Sequence, residues 1–490
     1  MRKILMLLCA VVCLCLCGPE AMAMEAEDLS GKTLVKDHSG VGSLNRLFDG
    51  RTIESTKIRK GGHITLADEG GIGSVYLVFD REYGKITLTD QDDGVEKELE
   101  ETRFLHVFLD MERIFGYAPG CVTVSFDSGE ALLNELSAFG PGQLPDWVQQ
   151  WEPPAEGAAD LVLFSTHGDD EQLFFAGMLP YYSRELGYNV QVVYMTGHRN
   201  MSMRRTHEML DGLWAVGVKR YPVFGPFGDY NSTSLAAAYQ IYRNKGISRE
   251  DILSYVVENV RRFRPKVAVG HDLKGEYGHG MHMVYAELLC EAVEISADAE
   301  SFPESAEQYG IWDVPKTYLH LYPENQILMD WDIPLESFGG MTAFAVTKEL
   351  GFPCHISQQR YYSWYFSGMD TAAEITEYSP REFGLYRSTV GDDVQKKDFF
   401  EHMTTHAQDA QMEAQWRAEE EARQEAERLK AETAAQTEPV QTVPQQPAPA
   451  APEEDARIIG SARPVFVVFL AAFAVFGCVT VIRIFWKNKK

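Results

Sequence analysis

Cysteine and positive charge are both scarce in this 490-residue sequence. Of its eight cysteines, four lie within the first 17 residues and one is Cys478, so only Cys121, Cys290 and Cys354 lie between the two ends. Three widely spaced cysteines do not make a disulfide framework. Lysine and arginine number 45 against 72 aspartates and glutamates, a formal net charge of −27. This balance argues against a nucleic-acid partner, because neutralising phosphates requires clustered lysine and arginine.

Long apolar runs occur only at the two ends of the chain. Residues 1–23 begin with two positive charges, continue with an apolar stretch and end at Ala21-Met-Ala23, which predicts a cleaved secretory signal peptide. Pro464–Ile482 is almost wholly apolar and just long enough to cross a bilayer. Residues 483–490 are basic and are therefore expected in the cytoplasm. The sequence predicts a single-pass protein of the cell membrane with an extracellular folded part.

Residues 28–150 predict an antiparallel β-sandwich. Short alternating segments such as Ser74–Phe79 and Cys121–Phe126 are separated by Gly, Asp and Asn turns. The stretches Leu47-Phe-Asp-Gly-Arg-Thr52 and Gln149-Gln-Trp151 make this region loosely similar to a discoidin-type, galactose-binding-like module. That resemblance implies either a glycan-binding module or a spacer, and the sequence leaves both open.

Residues 158–395 have a different pattern, in which predicted apolar strands alternate with predicted amphipathic helices. The predicted strands include Leu161–Phe164 and Lys266–Gly270, and the helices include Met203–Val216 and Ser248–Phe263. This alternation predicts an α/β fold with a Rossmann-like, mostly parallel sheet, helices on both faces and ligands at the carboxyl ends of the strands. Residues 396–462 predict a stalk, first helical and then Pro-rich.

Two loops that follow predicted strands contain metal-ligand residue types. His167, Asp169 and Asp170 follow the first strand, and His282 lies beyond Lys266–Gly270. Two histidines and one carboxylate form a common ligand set for a catalytic Zn2+ and leave one position open for water. The alternative is a helix N-terminus decorated with acids that complement the dipole. It accounts for one or two carboxylates but not for the histidines.

Three motifs in order carry a family resemblance. They are His167-Gly-Asp-Asp-Glu171, the Arg205-Thr-His-Glu208 helix running into Gly217, and His279-Gly-Met-His282. Together they resemble the LmbE-like (PIG-L) family of zinc-dependent N-acetylglucosaminyl deacetylases, over roughly residues 160–387. The family usually has Pro where this chain has Gly168.

The resemblance also implies roles for individual residues. The metal ligands would be His167, Asp170 and His282, and Asp169 would act as general base. His279 or Tyr277 would stabilise the oxyanion. Arg205 would contact the sugar, although its spacing from Glu208 alone suits a surface ion pair. Asp229 is a further candidate for sugar hydroxyls. Five other histidines have no partner spacing and are expected to be structural or surface residues: His198, His207, His271, His320 and His355.

The leading hypothesis is a membrane-anchored, extracytoplasmic zinc deacetylase acting on N-acetylglucosamine or a related N-acyl amino sugar in a glycan. Two rival hypotheses remain open at this point. One is a catalytically silent, glycan-binding surface adhesin, and the other is a zinc amidohydrolase acting on a non-sugar amide.

Overall fold

The computed structural model describes residues 24–99, 104–197 and 203–436. The predicted signal peptide and the predicted span Pro464–Ile482 lie outside these ranges. Within them, no helix is both long and apolar enough to cross a membrane. The chain divides into two compact units, Met1–Arg417 and Ala418–Lys490.

The N-terminal part of the first unit is an eight-stranded antiparallel sheet. Its strands are β1 (Val35–Val41), β2 (Thr56–Ala67), β3 (Ser74–Phe79), β4 (Ile86–Asp90), β5 (Glu96–Leu99), β6 (His106–Asp110), β7 (Cys121–Phe126) and β8 (Ala131–Phe139), with the short helix α1 (Met111–Phe115) after β6. The strand order is β5-β4-β7-β2-β8-β3-β6, with β1 paired to β2.

Strand β2 joins the two halves of this sheet. Its first residues pair with β8 and its last residues pair with β7. Apolar side chains from both halves, such as Leu77 of β3 and Leu88 of β4, belong to one buried cluster. The sheet therefore folds over itself around a single core, in agreement with the antiparallel architecture predicted from the alternating pattern.

A seven-stranded sheet forms the rest of the first unit. Its strands are β9 (Leu161–Ser165), β10 (Val190–Thr196), β11 (Val223–Phe227), β12 (Val267–Gly270), β13 (Lys316–His320), β14 (Gln326–Leu328) and β15 (Glu382–Ser388). In the order β11-β10-β9-β12-β13-β15-β14 the first five strands are parallel, and β15 and β14 add antiparallel pairs at one edge. The predicted mostly parallel sheet is confirmed.

Helices cover both faces of this sheet, and a buried apolar cluster lies on each side of it. They are α2 (Asp170–Leu173), α3 (Met203–Ala215), α4 (Leu235–Asn244), α5 (Arg249–Phe263), α6 (Gly280–Ile295), α7 (Pro303–Tyr309), α8 (Ala343–Val346) and α9 (Gln359–Tyr365). The Ser248–Asp251 capping box starts α5, and its apolar face is buried as predicted.

The apolar pattern of residues 172–186 predicts a helix interrupted at Pro180, and the structure divides this stretch further. It contains the end of α2 and a separate π-helical turn, Pro180–Glu185. Gly177 between them has φ +90°, and a side chain there would collide with the Trp331 ring. Proline and this left-handed glycine both oppose a continuous helix.

The strand order determines where a ligand can bind. From β9 the chain proceeds outward to β10 and β11, and then returns to β12 on the other side of β9. Loops leaving the carboxyl ends of β9 and β12 therefore turn in opposite directions and open a crevice between them. Both loops contain predicted site residues.

Helix α10 (His406–Gln436) follows the α/β part. In the first unit its start is tied down by the His406 backbone N–H, which donates to Asp160 at 2.7 Å. In the second unit, residues 418–433 are exposed apart from one partly buried position. This solvated helix is the one that the sequence predicts for the first part of the stalk.

Candidate active site and metal centre

The first site loop leaves the wholly buried strand β9 and enters α2. Within it, Asp170 Oδ2 accepts the His167 backbone N–H at 2.8 Å and lies 3.0 Å from His167 Nδ1. Gly168 occupies the position where the family usually has Pro. A Cβ there would lie 2.2 Å from the Met209 side chain of α3, so glycine allows this helix to pack directly on the loop.

His282, in the first turn of α6, completes the predicted ligand set. Its Nε2 lies 3.1 Å from His167 Nδ1 and 3.2 Å from Asp170 Oδ2. Tetrahedral ligands about 2.0–2.1 Å from a zinc ion are separated by roughly 3.3 Å. The three predicted ligand atoms therefore already have the mutual spacing that a zinc ion requires.

Carboxylates behind the two histidines support this interpretation. Asp229 Oδ1 lies 3.0 Å from His167 Nε2, and Glu276 Oε2 lies 2.6 Å from His282 Nδ1. Each carboxylate is placed to accept the outward N–H of its histidine, so the inward nitrogen offers its lone pair whenever the imidazole is neutral. Histidine ligands of metals are usually oriented in this way. Although burial lowers it, Asp170 and Asp229 raise the pKa of His167 well above its usual value, so the cluster favours a positive charge at its centre.

Glu276 is a site residue that the sequence analysis missed. It is fully buried, and besides His282 it contacts His271 Nδ1 at 2.9 Å and His320 Nδ1 at 2.7 Å. Burial opposes ionisation of Glu276, but the histidine contacts, led by His271, hold its pKa well below the usual range. One carboxylate thus organises three histidines behind the metal centre.

Two histidines expected to be structural or surface residues are therefore buried beside the site. His271 Nε2 lies 3.6 Å from Asp170 but accepts the Thr166 backbone N–H at 3.0 Å. That hydrogen bond uses its lone pair, which makes His271 a supporting residue rather than a ligand. His320 is held from its other side as well, its Nε2–H donating to the Ser379 carbonyl at 2.9 Å. His198 lies outside the described residues.

Asp169, the predicted base, is 5% exposed and faces α3. Its Oδ1 accepts from Arg205 Nη2 at 3.0 Å. Burial raises the pKa of Asp169, and the Arg205 guanidinium only partly offsets this rise. A carboxylate with a raised pKa beside a metal centre suits proton transfer near neutral pH. Arg205 Nε is buried and has no acceptor within the described ranges.

Tyr277 and His279 lie at the mouth of the site. Tyr277 has φ +45° and is 41% exposed. His279 caps α6, its Nδ1 accepting the Met281 backbone N–H at 3.2 Å. Burial, with the neighbouring His167 and His282, lowers the pKa of His279 to about 3. Its Nε2 therefore bears the proton and can donate a hydrogen bond.

These residues line a cleft of about 510 Å³. Its floor contains His167, Asp169 and Asp170, and the predicted sugar contacts Arg205 and Asp229 both belong to its lining. The segment 357–364 contributes a further wall that the sequence analysis did not predict, namely Ser357, Gln358, Arg360, Tyr361 and Trp364. Seven of the eight predicted site residues thus line one cleft, and the eighth, His282, is buried against His167 and Asp170 beneath it. Their individual roles stay predictions.

A second buried pair lies behind the base. Glu171 Oε1 is 3.1 Å from His355 Nε2, and both side chains are fully buried. Burial raises the pKa of Glu171, and His355 opposes this shift. The pair joins α2 to the segment before α9, so His355 is a structural residue, as expected.

Comparison with known proteins gives the same assignment for the central region. Residues 162–293 match the model of the PIG-L family, described as GlcNAc-PI de-N-acetylase. A 1D-myo-inositol 2-acetamido-2-deoxy-alpha-D-glucopyranoside deacetylase from Saccharopolyspora erythraea is 29% identical over 150 residues, which cover 30% of this chain and 52% of that protein. The chain spans about half to three-fifths of the length of the curated relatives that it matches.

Two solved structures cover different parts of the chain. N,N'-diacetylchitobiose deacetylase from Pyrococcus horikoshii is 15% identical and covers 46% of this chain and 83% of its own, with a TM-score of 0.29. A family 32 carbohydrate-binding module from C. perfringens in complex with galactose is 12% identical and covers 25% of this chain and 97% of its own, with a TM-score of 0.17. With the motifs and the family match together, residues 162–293 are a PIG-L (LmbE-like) deacetylase domain.

Proposed function

We propose that this protein is a zinc-dependent deacetylase that hydrolyses the N-acetyl group of N-acetylglucosamine or a related N-acyl amino sugar in a glycan. The observation that carries this proposal is the convergence of His167, Asp170 and His282 to mutual distances of 3.0–3.2 Å beside the buried carboxylate of Asp169. The curated relative named above is a 1D-myo-inositol 2-acetamido-2-deoxy-alpha-D-glucopyranoside deacetylase, which removes the acetyl group from an N-acetylated amino sugar.

The metal ligands, Asp169 and Arg205 each have a separate role in the proposed amide hydrolysis. A zinc ion bound by His167, Asp170 and His282 would lower the pKa of a water molecule and polarise the acetamide carbonyl. Asp169 lies next to the ligand Asp170 and takes the proton from the attacking water. It then delivers that proton to the nitrogen of the departing amine. Arg205 holds the carboxylate of Asp169 in place at 3.0 Å.

His279 is suited to stabilise the developing negative charge on the carbonyl oxygen. Its Nδ1 accepts a backbone N–H, so its Nε2–H is the donor that remains. Tyr277 and Trp364, whose rings lie 5.9 Å apart, offer apolar surface next to it. An amide borne by a sugar ring, with apolar faces and polar edges, suits a cleft of this composition better than an extended peptide does.

The proposed location depends on the sequence of the two ends. Residues 1–23 have the features of a secretory signal, and Pro464–Ile482 has the length and flanking charges of a membrane anchor. We therefore place the deacetylase outside the cytoplasm, attached to the cell membrane, with a cell-wall, capsular or host glycan as substrate.

Acetate release tests the activity directly. The purified protein, loaded with zinc, is incubated with chitooligosaccharides and with N-acetylglucosaminyl-inositol, and acetate and free amine are both quantified. Asp169→Asn is the matched control because it keeps the metal ligands. Binding of these glycans without acetate release would support the adhesin hypothesis. Release of an acyl group only from non-sugar amides would support the amidohydrolase hypothesis.

A further inference from the structure

Helix α3 is shared between the active site and the N-terminal module. Residues three or four apart on a helix lie on one face. Arg205 and Glu208 form the face towards the site, where Arg205 contacts Asp169 and Glu208 accepts the Ser357 backbone N–H at 2.9 Å. His207, Asp211 and Trp214 form the other face.

Each residue of that second face hydrogen-bonds to the N-terminal module or to the segment that follows it. His207 Nδ1 lies 2.8 Å from His106 Nε2, at the start of β6. Asp211 Oδ1 accepts from Gln149 Nε2 at 2.6 Å, and Trp214 Nε1 donates to the Asp146 carbonyl at 2.7 Å. The i, i+4, i+7 spacing makes this a continuous docking stripe along the helix.

The His106–His207 contact is the part of the stripe closest in sequence to Arg205. Both imidazoles are buried, at 2% and 1% exposure. On its other side, His106 Nδ1 lies 2.5 Å from the Tyr76 hydroxyl of β3. Burial lowers the pKa of both histidines, that of His207 to about 4. Both rings are therefore neutral, and the Tyr76 hydroxyl, His106 and His207 form one continuous hydrogen-bonded chain.

We propose that the N-terminal module is a structural part of the active site, with His106 as a positioning residue that acts through His207 to keep Arg205 against Asp169. The module then has a role in catalysis without touching substrate. This proposal rests on the proposed deacetylase function for its kinetic test only.

A double-mutant cycle distinguishes positioning from general stability. His106→Ala should lower kcat/KM by about 10–100-fold, the order expected when a catalytic group shifts by about 1 Å. In an Arg205→Ala background the same change should cost less than about threefold, because residues that act through one another are not additive. His106→Gln, which retains a donor near the position of Nε2, should recover most of the activity.

Tyr221→Phe is the matched control. Its hydroxyl accepts the Leu105 backbone N–H at 3.1 Å, so this change also removes a buried hydrogen bond between the same two parts of the protein, but one that does not involve α3. It should leave kcat/KM within about twofold of the wild-type value. Equal losses from Tyr221→Phe and His106→Ala, or equal effects of His106→Ala in both backgrounds, would overturn the proposal.

Hydrogen exchange provides a readout that needs no substrate. His106→Ala, or the milder Tyr76→Phe if the alanine variant does not fold, should speed amide exchange in residues 203–215, whereas Tyr221→Phe should not. Unchanged exchange in α3 overturns the proposal even if the enzyme is active. If the wild-type protein releases no acetate from any N-acetyl sugar, the proposed function fails while the exchange result still decides the role of His106.

Discussion

Replacing Glu276 with glutamine should weaken zinc binding without removing any ligand. The Glu276 carboxylate is fully buried and accepts N–H groups from His271, His282 and His320 at 2.9, 2.6 and 2.7 Å. Loss of such a carboxylate behind a histidine ligand typically costs 10–100-fold in metal affinity, which corresponds to about 1.4–2.7 kcal/mol. In addition, the new NH2 group must face an N–H, and this should lower the free energy of unfolding by about 1–3 kcal/mol.

Competition with a chromophoric chelator measures the zinc affinity, and urea titration of the metal-free protein measures the stability. Asp393→Asn is the control. Asp393 is a buried carboxylate that contacts Lys316 Nζ at 2.5 Å, at the opposite end of β13 from His320. The Asp393→Asn substitution should lower the free energy of unfolding to a similar extent and leave the zinc affinity unchanged. If Glu276→Gln binds zinc within twofold of the wild-type affinity, the inferred support of His282 by Glu276 is wrong.

Asp169→Asn should retain zinc but lose about 10²–10⁴-fold in kcat, whereas His282→Ala should lose the metal as well. Metal analysis and an acetate-release assay on both variants separate these two outcomes. A fully active Asp169→Asn would refute the assignment of Asp169 as the base. The free energy of unfolding should fall as the pH drops from about 6.5 towards 4, because the pKa of His207 is lowered by burial to about 4 in the folded protein and the unfolded chain takes up the proton first. The loss of stability begins below the pKa of the unfolded chain and approaches about 3 kcal/mol at the acid end. Urea titrations of His207→Gln at several pH values should therefore show a flatter dependence of the free energy of unfolding on pH. An unchanged dependence would contradict the prediction. Protease added to intact cells should cut within residues 442–452 and release an active fragment, and a catalytic domain that stays protected until the membrane is opened would reverse the proposed orientation.

The convergence of the three candidate metal ligands could be predicted because the signals are local. A buried strand followed at once by His167 and Asp170 places both at a carboxyl strand end, and His282 follows another such strand. The parallel sheet then brings the two loops together, since β9 and β12 are neighbours. Strand pairing and residue type together were sufficient for this part of the site.

The group formed by Glu276, His271 and His320 was not predicted, because one of its contacts is distant in sequence and none of them matches a motif. Glu276 joins His271, after β12, to His320, at the end of β13, and the latter contact spans 44 residues. Even so, both histidines obey the rule that was applied to His167, since each lies at the carboxyl end of a buried strand. Applying that rule to every histidine in the sequence would have placed them near the site.

The contact between His106 and His207 had no comparable signal. The two residues are 101 positions apart and belong to regions with different folds. His207 lies within the Arg-x-x-Glu motif and faces away from the residues that define it. The helix therefore has two functions: one face is recognisable from the family motif, and the other depends on how the N-terminal module docks.

The buried charges explain why this cluster favours a metal ion over protons alone. The buried carboxylates of Asp170 and Glu276 and the partly buried carboxylate of Asp229 surround two histidines, and buried carboxylates without a compensating charge are costly. Protons on both nitrogens of His167 and His282 would relieve this excess, but they would direct N–H groups at each other across 3.1 Å. His167, His282 and Asp170 would hold a divalent cation without that conflict, with the outward N–H groups of the histidines still donated to Asp229 and Glu276. The outer carboxylates thus favour the arrangement that binds metal, so removing either one should weaken zinc binding, although less than removing a ligand does.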